Sequence, residues 1–165
     1  MNKLLFFFLL FYLHVANVYS DIIKPNTKIE PYNVVEIQLI SLKNNDKPDK
    51  DFGIEQTWEF AHPENKINTG PLNNFKKMLK NEIYSILINH KDHKIEEIYN
   101  NKKIAIYDVI ILGSDNFYYE FKWQVERYDG KGSLNNCWLT TAVSNPVSLG
   151  AVSYTHLTLP TNREV

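Results

Sequence analysis

The side chains that could do acid–base or metal chemistry in this chain fall in three places. The first is His90-Lys91-Asp92-His93, two imidazoles around a carboxylate. Both groups ligate zinc, but a protein zinc site needs three or four donors. The spacing suits neither a helical ligand pair nor the alternation of a strand, and no cysteine or further carboxylate completes a set. We therefore expect no metal, and expect His90 to anchor a helix-to-sheet junction through hydrogen bonds. The second place is Asp108, which interrupts the apolar series Ile104, Ile106, Ile110. If that series faces a core, the carboxylate is desolvated, its pKa rises and it becomes a lone general base. The alternate series Ala105, Tyr107, Val109, Ile111 is equally apolar, so a solvent-facing Asp108 stays open. The third is His62, beside Pro63 and near Glu59, where capping of a helix C-terminus is preferred to catalysis.

Two other groups of side chains bear on binding. Trp58, Tyr119, Phe121, Trp123 and Trp138 are either plain core or the lining of a cavity for a small apolar molecule. Cys137, next to Trp138, is the one cysteine in the sequence. One thiol cannot staple the fold, so a buried, inert thiol is preferred to a bridge with a second chain, and a homodimer stays open. The sequence holds no GxSxG, HExxH, phosphate loop or dinucleotide fingerprint. Common hydrolases and nucleotide enzymes, and any bound cofactor, are not expected. With 18 basic against 19 acidic residues and no basic block interleaved with aromatics, nucleic-acid binding has no electrostatic support.

Elements must position these groups. Pro31 opens a first helix, with Tyr32, Val35, Leu39 and Leu42 on one face and the polar run 43–51 at its end. A second helix runs from Phe52 to Ala61 and is closed by Pro63. A third opens at Gly70-Pro71, with Leu72, Phe75 and Leu79 in helical spacing, and a short apolar turn follows over Tyr84–Ile88. The period then changes to two. Strands are predicted over 95–99, 104–112, 117–125 and 137–143, separated by turns rich in Asn, Gly and Asp. The third strand has the cleanest pattern, with Phe117, Tyr119, Phe121, Trp123 and Val125 alternating with polar or charged neighbours. Helices first and strands after predict an α+β domain, three helices packed on a curved antiparallel meander of about four strands. Such a sheet, closed by helices on its concave side, leaves a cone-shaped pocket.

The strings PYNVVEIQLISLKNND, FGIEQTWEFAHPENK, TGPLNNFKKML, LINHK and CWLTTAV occur in that order over residues 31–144. As an ordered set they resemble a family known as domain of unknown function 4864, over nearly the whole domain. The resemblance implies a nuclear-transport-factor-2-like, cystatin-like fold. It implies no activity, so Trp58, Phe60, His90, Cys137 and Trp138 are matched positions without an assigned role.

Both ends of the chain read differently from its middle. Residues 1–20 carry Lys3, an apolar stretch of about ten residues and small residues before Asp21, the pattern of a secretory signal peptide. The stretch is shorter than the ~20 residues a spanning helix needs, so no stable membrane span is expected. Residues 21–30 read as a linker and 31–150 as one domain. The tail 151–165 reads as non-native, because VSYTHLTLPT within residues 152–165 resembles a translated transposon-end sequencing adapter. The overall expectation is a secreted or endomembrane-lumen domain that binds a small apolar molecule without catalysis. Two alternatives stand beside it: a lone-base isomerase or dehydratase, and an interaction module that pairs through its sheet.

Overall fold

The computed structural model describes residues 21–151. The signal-peptide and adapter readings fall on residues 1–20 and 152–165, outside the described residues. Four helices come first: α1 (Pro31–Lys43), α2 (Phe52–Glu59), α3 (Pro63–Thr69) and α4 (Leu72–Leu79). A 3-10 turn at Ser85–Leu87 leads into five strands. These are β1 (Asp92–Asn100), β2 (Ile104–Leu112), β3 (Phe117–Arg127), β4 (Trp138–Val143) and β5 (Val147–Ala151). The α+β order is as expected, but with four helices where three were predicted and five strands where about four were.

The extra helix comes from Pro63. A proline is both a helix stop and, at the first position, a helix start. Here it is the start of α3. His62 is accordingly not a C-terminal cap: it is the N-cap of α3, and its Nδ1 accepts from the Glu64 N–H at 3.2 Å. The extra strand, β5, is short and mostly exposed, so no apolar alternation marks it.

The sheet runs β1-β2-β3-β4, all antiparallel, with β5 also paired to β3. Eleven-residue β3 is long enough to serve both late strands. Residues Trp123–Arg127 pair with β4, Phe117–Glu120 pair with β5, and a register shift occurs in each pairing. Such shifts bend a strand and add twist.

Register decides which face of β2 is inside. Asp108 lies opposite Lys122 and Val109 opposite Phe121. The bulky face of β3 therefore carries Ala105, Tyr107, Val109 and Ile111 inward with it, and all four are buried. They pack with Phe121, Trp123, Val125 and Trp138 against Val34, Val35, Leu39 and Leu42 of α1 and Ile54 of α2. Close approach of α1 and α2 requires Gly53, where an added Cβ would lie 2.1 Å from the Ser41 carbonyl oxygen. Segment 21–30 has no regular structure but is docked: Gln56 accepts from the Ile23 N–H at 2.7 Å and donates to its carbonyl at 2.8 Å.

Candidate functional site

Thr140 and the middle of α1 organise a cleft between the helices and the β4 edge of the sheet, lined by one of the sequence-predicted aromatics, Trp58. The outer edge of β4 is covered by the α2–α3 junction. Thr140 N–H donates to Phe60 O at 2.8 Å, and His62 N–H donates to Thr140 O at 2.9 Å. Asn65 Nδ2 adds bonds to the Thr140 and Thr141 carbonyls at 3.1 and 2.8 Å. Beside this seam α2, α3, α4 and the 3-10 turn leave a cavity of about 280 Å³ against β4. Its walls are Trp58, Phe75, Met78, Leu79, Leu87 and Val143; Gln38 and Thr140 form a polar floor, and Asn65, Thr141 and Tyr84 add polar groups.

The floor is held by a buried hydrogen-bond network. Thr140 Oγ1 donates to Gln38 Oε1 at 2.6 Å, and Trp123 Nε1 lies 3.2 Å from the same oxygen. Gln38 Nε2 donates to the Thr57 carbonyl at 3.0 Å, which fixes the orientation of the amide. A fully satisfied network of this kind is rigid, because every alternative rotamer would strand a buried polar atom. Trp58 is half-buried, packed on Phe75 with ring centroids 5.0 Å apart. Lys66 Nζ sits 5.4 Å from the Trp58 ring centroid and donates to the Glu59 carbonyl at 3.1 Å, and burial pulls its pKa below the usual lysine range.

Of the five aromatics proposed to line a pocket, Trp58 does so. Trp123 lies beneath the floor as a hydrogen-bonding post, and Phe121 is core. Trp138 is buried with Arg127 5.1 Å from its ring, and its Nε1 has no partner among the described residues. Tyr119 is half-buried at the other end of β3 and donates to Asp115 at 2.6 Å. The cleft residues not foreseen are Gln38, Phe75, Met78, Tyr84 and Thr140. Gln38 did leave a signal: a glutamine amid the apolar residues Val34, Val35, Leu39 and Leu42 needs buried partners.

The acid–base candidates lie elsewhere. Asp108 projects from the sheet face away from the helices, 2.7 Å from Lys122 Nζ, so the desolvated base expected for the core-facing alternative is not formed. His90 is buried at the junction of the 3-10 turn and β1, with Nδ1 2.7 Å from Leu87 O. A carbonyl only accepts, so Nδ1 carries the proton and Nε2 accepts from His93 Nδ1 at 2.8 Å. Burial pushes the His90 pKa down to about 4 and lowers that of His93, which Lys43 lowers further. β1 starts three residues earlier than predicted and takes in His93. Cys137 lies immediately before β4, buried, and burial raises its pKa. Among the described residues no three His, Cys, Asp or Glu are grouped to hold a metal ion, and no helix is long and apolar enough to cross a membrane.

Comparisons with protein-family models, with characterised proteins and with solved structures find no match to this chain.

Proposed function

We propose that this chain is a non-catalytic binding domain of the nuclear-transport-factor-2-like kind, delivered to the secretory pathway, which takes a compact apolar molecule into the cleft between its helices and β4. The observation that carries the reading is the cleft itself, about 280 Å³ with apolar walls over a polar floor. That volume is just below the range of ligand pockets, ~300–1,000 Å³, which combine apolar walls with a few orienting polar groups, so the molecule it takes is small. Gln38 and Thr140 spend most of their hydrogen-bonding capacity on each other and on Trp123 and Thr57, so the ligand is held chiefly by burial of apolar surface. Among the described lining residues the one ionisable side chain is the Tyr84 phenol, which donates to Val143 O at 3.3 Å. Proton transfer at neutral pH has no ready base there, which favours binding over the lone-base alternative. The test is native mass spectrometry of the chain expressed through a secretory host. A copurifying small molecule released on denaturation is expected; a ligand-free mass, with no uptake of added apolar compounds, would count against the reading.

A further inference from the structure

The two lateral edges of the sheet are treated differently. On the β4 side, Phe60, His62 and Asn65 occupy the outward-facing backbone groups of Thr140. On the other side, among the described residues β1 pairs with β2 alone, and five of its nine residues, from Glu96 to Asn100, are exposed in succession. A free edge presents a row of backbone donors and acceptors to any strand that matches it. Charges on such an edge deter pairing unless the incoming strand brings the opposite charges to the same positions.

The order of charges along β1 meets that condition for one partner, β1 itself. In antiparallel pairing about a two-fold axis, residue i faces residue j with a constant sum of numbers, and facing side chains share a face. With the axis at Ile95, Lys94 of each copy faces Glu96 of the other, which is the charge match; His93, already bonded to His90, faces Glu97, Asp92 faces Ile98, and Ile95 faces Ile95. Shifting the axis to Lys94 sets lysine against lysine and Asp92 against Glu96. Shifting it to Glu96 sets glutamate against glutamate. The register shift between Glu97 and Tyr99 leaves Ile98 outside the regular run, which extends from Asp92 to Glu97 and holds Lys94 and Glu96 on either side of Ile95. Lys94 and Glu96 already lie 3.2 Å apart within one copy, with side chains 69% and 59% exposed, so their heads are free to reach across an edge.

We propose that two copies of this chain associate antiparallel through β1 about a two-fold axis at Ile95, joining their sheets edge to edge. The association leaves the helix/sheet cleft on the far side of each copy and does not depend on it. Sedimentation equilibrium at low salt on the chain as secreted by its host, with charge-swapped variants, tests the register. Lys94→Glu alone and Glu96→Lys alone each set like charges against each other and should weaken dimerisation about tenfold. The double variant Lys94→Glu/Glu96→Lys restores opposite charges with the order exchanged and should recover the wild-type constant to within about threefold. Circular dichroism should be the same for all four proteins, since both side chains project into solvent. A wild-type chain that stays monomeric to millimolar concentration would overturn the proposal. So would single swaps without effect, or a double swap that fails to restore association.

Discussion

Gln38 is the residue whose chemistry reaches furthest. It sits 1% exposed in the middle of α1, among the buried aliphatic residues Val34, Val35, Leu39 and Leu42. Its amide accepts from Thr140 and Trp123 and donates to Thr57, so one side chain ties α1 to α2, β3 and β4. Replacing Gln38 with Met keeps the volume but strands the Thr57 carbonyl and leaves Trp123 Nε1 with Thr140 alone. We expect a loss of about 1–3 kcal/mol, read as a lower urea midpoint at unchanged slope. His90 makes a second prediction. Its pKa is about 4 folded against an ordinary 6.5, so between those values the unfolded chain binds the extra proton. Stability is therefore present above pH 6.5 and is lost as pH falls toward 4, by up to about 3 kcal/mol. The lowered carboxylates Asp46, Asp51, Asp92 and Asp115 titrate below 3.8 and act in a separate, more acidic range. His90→Gln should flatten the melting temperature between pH 6.5 and 4, apart from the share due to His93. An unchanged slope would contradict the assignment.

At the scale of elements, what was legible depended on whether a signal had one meaning. Pro31, with nothing helical before it, marks the start of α1 without ambiguity. Pro63 comes at the end of a helical pattern, where a proline signals a stop as readily as a start, and so the sequence does not reveal α3. The two faces of β2 are both apolar, so its own residues could not say whether Asp108 is inside. The answer lay in β3, whose faces differ sharply, and in the register that pairs Asp108 with Lys122. A slip of one residue there would exchange the faces of β2. Its outward isoleucines stay half-buried, with Lys122 and Glu120 opposite Asp108 and Ile110 on the neighbouring strand. Cleft residues were hard to foresee for a related reason: Phe75, Met78 and Tyr84 come from separate elements, and only packing brings them together. Packing also sets the next prediction. Gly53→Ala places a methyl group 2.1 Å from a backbone oxygen of α1, so the two helices must separate. We expect a cost of about 1–3 kcal/mol by denaturant unfolding, although alanine is the better helix former.

For the whole molecule, the arrangement explains why its chemistry is sparse. The aromatic face of β3 is spent on the core, where Phe121 and Trp123 are fully buried against α1. Charged residues of the sheet, such as Lys94, Glu96, Asp108 and Lys122, pair with one another on its outer face and β1 edge, and others pair on the helices, as Lys76 does with Glu55. The cleft at β4 is open to a small molecule, as is a cavity of about 450 Å³ lined by Lys94, Ile110, Tyr118 and Leu149 of the sheet, and the proposed function rests on the first of these. The most direct test is native mass spectrometry of the chain secreted by a host cell, set beside Met78→Trp, which fills the cavity from α4. A small apolar adduct is expected on the wild-type chain and none on the variant, with both folded. An adduct retained equally by Met78→Trp, or a wild-type chain that never carries or takes up a ligand, would contradict it.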